Sequence, residues 1–546
     1  MAAKKKSWGY KKSWVKPAVE KVEIDFSEVE NQMTEYHRII RDAISEGKNG
    51  IISAGPGTGK TWTISRVVIP TLEKIGKING MVFAFTNKNA QDFEKCILSD
   101  GIKTGTYHKL LGKIVTEKFG KYKRNFYNVE DKFDKARKPG KTMEMAKGIF
   151  EGVKASELVK ICNLTNMAKM AAFGIGENPS IENRKAWEEL AERFSINSGD
   201  EFEGSNSVDI IECAQKLFVQ TIKNTECIDF ADMPYFVLYY DLPLPELDFV
   251  VMDEAQDIPQ ILLEFMAKCH ENGAQILAVG DKNQSINDFA GAINEALSSI
   301  ISRVNGTKLD LKVSYRVSIA AAGLCNQIFP DSVIPWDGAK QGSISNITFE
   351  EFKELLPDFS GNDAALSRTH KNLIPLAMEF IRKGIPFVYK GIREWVEKAR
   401  KSLFMASKKA NSTEFYAISM AMDDFLRGKE DENAHRPKMP RWIVEMSETI
   451  SILNSLIQGI QEIGGNYKTL LGYLDTLEKA DNNTTGLPTL STIHASKGGE
   501  WANVYIIGSC ISPLAKTERE LAAEKCCEYV AYSRSSDRII FVPAEK

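Results

Sequence analysis

The chain has 546 residues, 43% of them hydrophobic and 26% charged, with a formal net charge of −3. This is ordinary globular composition, enough for several domain cores, and it excludes a uniformly basic nucleic-acid coat while leaving room for a local basic channel. No apolar run approaches the roughly 18–20 residues that cross a bilayer, and the nine cysteines and six histidines are scattered without a Cys-x-x-Cys, so a membrane span, a disulfide framework and a zinc site are not expected and a reducing cytoplasm is (a host cytoplasm if the chain is viral).

The chain opens on Met1-Ala2-Ala3-Lys4-Lys5-Lys6, with no apolar core behind it as a secretory leader would have. Residues 1–32 read as a basic arm in which Lys4, Lys5, Lys6, Lys11, Lys12 and Lys16 alternate with Trp8, Tyr10 and Trp14. That pattern suits a solvated, poorly ordered tail, or an arm holding phosphates by lysine and bases by aromatic rings. An apolar strand is predicted at residues 50–54, followed by Ala54-Gly55-Pro56-Gly57-Thr58-Gly59-Lys60-Thr61 and a helix-competent run at 62–68. Strand, glycine-rich loop and helix form the context in which backbone N–H groups converge on phosphate oxygens at a helix N-terminus. Lys60 is expected on the β- and γ-phosphates of a nucleotide and Thr61 on Mg²⁺; Ala54 stands where the strict pattern has glycine.

A second strand is predicted at 81–86, and basic residues dominate between Lys103 and Lys141. Residues 112–225 are charged and helical in character, for example at 155–170 and 181–194. The apolar run at 249–252 then ends in Asp253-Glu254-Ala255-Gln256-Asp257. Two adjacent carboxylates at a strand end suit nucleotide hydrolysis, Asp253 for Mg²⁺ and Glu254 to orient and deprotonate water. The next run, 276–281, leads to Gln284, placed to sense the γ-phosphate, and to Phe289, able to stack on a base. A second set of short apolar runs follows at 364–367, 386–389, 504–508 and 538–542, interrupted by helical residues 396–485 with loops at 428–440 and 481–486. Alternating strands and helices predict parallel sheets with ligands at the C-terminal strand ends.

The order of these motifs resembles the UvrD/Rep group of superfamily 1 DNA helicases. The matches include Phe85-Thr86-Asn87-Lys88, Thr104-Gly105-Thr106-Tyr107-His108, Ile228-Asp229-Phe230-Ala231-Asp232-Met233, Gly280-Asp281 through Gln284-Ser285-Ile286 and Gly291-Ala292, Val313-Ser314-Tyr315-Arg316, Ser491-Thr492-Ile493-His494-Ala495-Ser496-Lys497-Gly498-Gly499-Glu500-Trp501, and Tyr529-Val530-Ala531-Tyr532-Ser533-Arg534. The resemblance implies an α/β fold of two RecA-like parallel-sheet cores with mostly helical inserted accessory domains. The first core would comprise 33–111 and 226–305, with 112–225 inserted; the second 306–395 and 486–546, with a reduced insertion at 396–485. It implies that Arg316 and Arg534 reach the γ-phosphate across a cleft, that Tyr315 stacks on adenine and that Glu500 accepts from the ribose. Thr86, Asn87, Thr106, His108, Phe289, Thr492 and His494 would line a single-strand path.

Several positions depart from the family pattern. His37 stands where a glutamine usually reads the adenine edge, and the nearest glutamine, Gln32, has poorer spacing. Asn287, Ala290 and Gly499 replace an aromatic residue, an arginine and a leucine. The implied activity is ATP-dependent unwinding of DNA with 3′→5′ movement, on single strands and single/double-strand junctions, with replication or repair proteins as partners. A translocase that strips proteins without efficient unwinding, an RNA helicase and an ATP-switched scaffold are the alternatives. Oligomeric state is open, a monomer being compatible.

Overall fold

The computed structural model describes residues 26–85, 87–97, 99–119, 140–194, 196, 208–286, 295–435, 439, 441–482, 484–512, 515 and 517–544. Six strands form the first sheet: β1 (Gly50–Ala54), β2 (Gly80–Ala84), β3 (Ile102–Thr106), β4 (Phe249–Met252), β5 (Gln275–Gly280) and β6 (Thr307–Leu311). They lie in the order β3-β2-β4-β5-β1-β6, and every pairing is parallel. A short parallel pair follows, β7 (Val313–Ser314) with β8 (Ile334–Pro335). The second sheet contains β9 (Ser343–Asn346), β10 (Asp363–Ser367), β11 (Val388–Lys390), β12 (Thr489–Thr492), β13 (Trp501–Ile507) and β14 (Ser535–Val542). Its order is β11-β12-β10-β13-β14-β9, again wholly parallel.

The central strands are apolar throughout because both faces are covered; β2, β4 and β5 are buried at every position. On one face of the first sheet, Val82, Val251 and Leu277 pack with Ile64, Val68 and Phe93. On the other, Phe83, Val250 and Ile276 share a continuous core with Leu164, Trp187 and Leu217 of the first helical insertion. The second sheet repeats this arrangement: Tyr505 and Ile540 join Leu403, Leu453 and Leu474 of the second insertion, while Val504, Ile506 and Ile539 pack with Val530 and Ala321 on the opposite face. Each insertion is thus fused to one face of its own core.

Three expectations are corrected. The break between the cores does not fall at 305/306, because β6 pairs with β1 from Gly50↔Thr307 to Ala54↔Leu311 and so completes the first sheet. The loop expected at 428–440 begins later, since the helix Phe415–Asn433 runs through Gly428. A glycine in an exposed helix costs about 1 kcal/mol, and here the Lys429–Glu432 pair at 2.6 Å and the Asn433 Nδ2 bond to the Lys429 carbonyl at 2.9 Å support the last turn. Third, residues 26–32 of the expected N-terminal arm are a helix, and Val29 packs with Met33 against Val67; the lysine- and aromatic-rich residues before it lie outside the described residues. Among the described residues no helix is long and apolar enough to cross a membrane.

Gly80 shows how closely the first sheet is packed. It is the cross-strand neighbour of Phe249, and a Cβ there would lie 2.2 Å from the Phe249 ring. Gly80→Ala is therefore expected to destabilise the protein by about 1–3 kcal/mol through overpacking, as read by urea denaturation.

Candidate nucleotide site and single-strand path

The phosphate loop leaves β1 at Ala54, which is buried at the strand end. Gly57 (φ +69°) and Gly59 (φ +80°) adopt left-handed conformations, Gly59 as the residue capping the helix that starts at Lys60. Gly57 is needed for a second reason: a Cβ would lie 2.4 Å from Arg316 Cβ and 2.8 Å from Ser314 Oγ. Its carbonyl accepts from the Tyr315 N–H at 2.9 Å. The strand leading into the second core therefore lies directly on the loop. Thr58 is buried and bonds the Gly55 carbonyl at 2.9 Å, while Pro56 lies within the same turn. The Lys60 ammonium donates to the carbonyls of Ala54 (3.2 Å) and Gly55 (3.4 Å). Thr61 sits half-buried in the first helical turn. The helix then widens into a π-turn at Ile64–Val68, a feature that recurs near functional sites.

At the adjacent strand end, Asp253 is 2% exposed. Its Oδ2 accepts from Asn89 Nδ2 at 3.2 Å, while Oδ1 is buried without a hydrogen-bond partner. Burial, then the neighbouring Glu254 charge, raises the Asp253 carboxyl above the usual range against the opposing pull of Lys60. Glu254 has a left-handed backbone (φ +51°), uncommon for a residue with a side chain. Burial acts to raise its carboxyl as well, but Lys60, Lys497, Gln256 and Arg534 together outweigh burial and hold it low. The two carboxylates are thus driven apart, one toward the neutral form and one toward the ionised form. An unpartnered buried carboxylate oxygen on Asp253 and the hydroxyl of Thr61 are hard oxygen donors, the type that fits Mg²⁺.

Gln256 ties this strand end to the next. Its Nε2 donates to Glu254 Oε2 at 2.6 Å, and its Oε1 accepts from the Asp281 N–H at 2.9 Å. Gly280 makes room for it, since a Cβ there would stand 2.4 Å from Gln256 Oε1. Asp281 in turn accepts from Gln284 Nε2 at 2.7 Å.

From the second core, Arg534 is only 1% exposed and donates through Nη2 to Gln284 Oε1 at 3.0 Å and to Ser533 Oγ at 2.9 Å. Its Nε and Nη1 reach the carbonyls of Val530 (3.0 Å) and Gly499 (3.3 Å). Burial, then the nearby Arg316, lowers its pKa to about 10, which leaves it charged at neutral pH. Arg316 donates to Glu500 Oε2 at 2.6 Å, so two residues expected to touch different parts of the nucleotide here hold each other. Tyr315 is half-exposed and lies 6.1 Å from the ring of Trp336, also exposed. Lys497, within the quoted motif but not singled out, crosses the cleft too: Nζ donates to Asp257 Oδ2 and to the Gln284 carbonyl at 3.2 Å, and lies 4.0 Å from Glu254 Oε2. The strand-end position of Asp257 and the lysine four residues before Trp501 were the available signals.

His37 is placed differently from the expected adenine contact. It is 2% exposed. Its Nδ1 accepts from the Thr34 N–H (3.1 Å) and hydroxyl (2.9 Å), and its Nε2 lies 3.2 Å from Thr63 Oγ1. Trp62 meets its ring edge-on at 5.1 Å. Both ring nitrogens are therefore engaged by protein in this structure. Gln32 is exposed and bonds Glu28 at 3.2 Å.

Of the strand-path residues, Thr86 and Phe289 lie outside the described residues. Asn87 is exposed at the start of the helix after β2, and Thr106 ends β3. His108 packs on Tyr107 at 3.9 Å and meets Phe230, which is 50% exposed, edge-on at 5.2 Å. Thr492 ends β12, and its hydroxyl accepts from the Ala495 N–H at 3.3 Å. His494 Nε2 lies 3.6 Å from Cys527 Sγ. The described members gather at the C-terminal ends of their sheets. Phe230 was visible in a quoted motif, but only its exposure beside His108 marks it out.

His37 also sets a pH dependence. Burial lowers its pKa to about 4, against about 6.5 for an unfolded histidine. The unfolded chain then binds the proton more tightly, so stability falls as pH drops from about 6.5 toward about 4 and is unaffected above that window. Between pH 7 and 4.5 the contribution is about 2 kcal/mol. Urea denaturation of the wild type and His37→Asn at both pH values should show a smaller pH-dependent loss in the variant.

The UvrD/REP helicase N-terminal domain matches residues 37–305, and the UvrD-like helicase C-terminal domain matches residues 343–546. The ATP-dependent DNA helicase srs2 of Schizosaccharomyces pombe is 25% identical over 317 residues, covering 54% of this chain and 35% of that protein. The probable DNA helicase II homolog of Mycoplasma pneumoniae is 26% identical over 296 residues, covering 50% of this chain and 38% of its own length. The matched region thus spans little more than a third of each of these curated relatives. With two parallel-sheet cores meeting at a phosphate loop, and domain matches over both, the chain belongs to the UvrD/Rep-type superfamily 1 helicase family.

Proposed function

We propose that this protein is an ATP-driven motor on single-stranded DNA that unwinds duplex DNA with 3′→5′ movement. The observation that carries the reading is the set of polar contacts crossing from one sheet to the other around the phosphate loop, Arg534 to Gln284 and Lys497 to Asp257. ATP bound at the loop adds γ-phosphate contacts to both cores and so favours a closed cleft; hydrolysis removes them.

In this reading Lys60 exchanges the carbonyls of Ala54 and Gly55 for phosphate oxygens. Arg316 leaves Glu500, the arginine turning to the γ-phosphate and the glutamate to the ribose. Tyr315, with Trp336 beside it, offers a stacking face to the adenine. Glu254, held ionised and oriented by Gln256, takes a proton from the attacking water. Mg²⁺ at Asp253 and Thr61 would neutralise charge on the phosphates. Gln284, bonded at once to Asp281 and Arg534, reports the γ-phosphate to the second core.

DNA would run along the C-terminal strand ends, against Asn87, Thr106, His108 and Phe230 of the first core and Thr492 and His494 of the second, with Thr86 and Phe289 as further contacts. Hydroxyl and imidazole groups suit phosphate contacts there, and the exposed ring suits stacking.

Lys60→Ala should lower ATP turnover about 100-fold or more while DNA binding persists; turnover near wild type would remove the loop from the mechanism. Glu254→Gln should bind ATP yet lose about 100- to 10,000-fold in turnover, the range for a missing general base. Single-stranded DNA should raise the ATPase rate, and 3′-tailed duplexes should be opened in preference to 5′-tailed ones. A rate indifferent to DNA would count for an ATP-switched scaffold instead.

A further inference from the structure

Beneath the exposed Phe230 lies a group of buried charges that takes no part in nucleotide chemistry. Lys169 and Asp232 are fully buried and Lys141 is 1% exposed. Asp232 Oδ1 accepts from Lys169 Nζ at 2.6 Å, and Oδ2 from Lys141 Nζ at 2.8 Å and from the Asp229 N–H at 2.9 Å. Lys141 Nζ also donates to the carbonyls of Thr221 and Asn224, both at 2.7 Å. Asp229 accepts from the N–H groups of Lys141 (2.9 Å) and Thr142 (2.8 Å) and from the Thr142 hydroxyl.

Three helix ends meet here. The helix Lys141–Ile149 begins after Gly140, which has no side chain to cap it, and Asp229, just beyond the far end of the insertion, supplies the missing acceptor. Gly140 leaves space for this, because a Cβ would sit 3.2 Å from Asp229 Oδ1. The helix Ile210–Lys223 ends with free carbonyls near its terminus, and the Lys141 ammonium takes two of them. The helix Asp232–Tyr239 starts with its own carboxylate at the positive end of its dipole. Two lysines therefore come from the insertion, and two aspartates from the segment where the chain returns to the first core. Charges balance within the cluster, so each buried ion has its partner.

Phe230 stands between the two aspartates. Its chain neighbours on either side are a clamped carboxylate and the buried Ala231, while its ring projects against His108. We infer that Lys141, Lys169, Asp229 and Asp232 are positioning residues for DNA engagement: they weld the first accessory domain to the first core and thereby set Phe230 and His108 on the single-strand path. This rests on the strand path proposed above. A purely stabilising cluster would need only some buried contact at this place. Here the contacts fix the backbone on both sides of one exposed aromatic.

The test replaces the triad with apolar residues of similar volume, Lys141→Met, Lys169→Met and Asp232→Leu together, a change that buried ion clusters tolerate for folding. Wild type and variant are compared for ATPase activity against rising oligo(dT) and for quenching of a 2-aminopurine oligonucleotide, alongside Phe230→Ala. The expected result for the triple variant is a DNA-free rate and a maximal rate within about twofold of wild type. The oligo(dT) concentration for half-maximal stimulation should rise about tenfold, with weaker quenching. Unchanged half-maximal concentration and quenching in the triple variant, with Phe230→Ala impaired, overturns the positioning role and leaves the strand path standing. Full DNA affinity in Phe230→Ala overturns both. If the triple variant does not fold, Lys169→Met, which keeps the Lys141–Asp232 pair and the contacts at all three helix ends, decides on the same readouts: about a threefold rise supports the inference and no rise overturns it.

Discussion

Arg534 carries a full charge where almost no solvent reaches it, and its Nη2 is held by a glutamine of the opposite sheet. A buried guanidinium is costly unless its donors are satisfied. Two of its nitrogens are satisfied from the second core, by Val530 and Gly499, and one reaches across to Gln284. The position of one sheet relative to the other is therefore part of what solvates this charge. Lys497 repeats the arrangement at Asp257. Two cationic groups of the second core are thus committed to the end of the first sheet where β1, β4 and β5 terminate.

That commitment requires the strand ends to be thin and exactly stacked in depth, and the glycines supply this. Gly57 lies so close to Arg316 and Ser314, and Gly280 so close to Gln256, that no methyl group fits at either position. Glu254 carries the opposite kind of strain, a side chain on a left-handed backbone. Hydrogen bonding to Gln256, which is itself bonded to Asp281, holds the carboxylate in that unfavourable turn. Glu254 of the acidic pair and the arginine are consequently parts of one hydrogen-bonded unit in which Glu254, Gln256, Asp281, Gln284 and Arg534 follow in sequence.

Much of this could be read from the chain itself, and the reasons are specific. β1, β2, β4 and β5 are apolar runs ending in polar residues, a pattern that buried parallel strands impose. The edge strand β6 escaped because Thr307-Lys308-Leu309-Asp310-Leu311 alternates like a half-exposed strand and sits beside a domain boundary. The helix through Gly428 escaped because a glycine near a charged run reads as a turn until its side-chain pairs are known. At the site, loop residues with a fixed spacing from the phosphate loop were readable, whereas partners were not. His37 illustrates the limit: spacing put it where a base contact belongs, and only three dimensions show that Thr34 and Thr63 use both ring nitrogens. Lys497 illustrates the converse, a residue within a recognised motif whose partner, Asp257, lies 240 positions earlier in the chain.

The two kinds of joint in the molecule differ in a way that fits a motor. Across the cleft, Lys497 retains 17% exposure, so water or phosphate oxygens are at hand to replace its lost partner, and the buried Arg534 keeps its bonds to Val530 and Gly499 of its own core when Gln284 is released. Between the first insertion and its core, the ions have essentially none, and their partners are helix ends that nothing else can satisfy. Breaking the first kind of contact exchanges one set of hydrogen bonds for another; breaking the second leaves buried charges unpaired. In the motor proposed above, motion would therefore run along the cleft between the cores, while the insertion would travel with the first core as one body. A strand gripped by Phe230 and His108 would then move with the first core at each closure, because the joint beneath them is the one that cannot give.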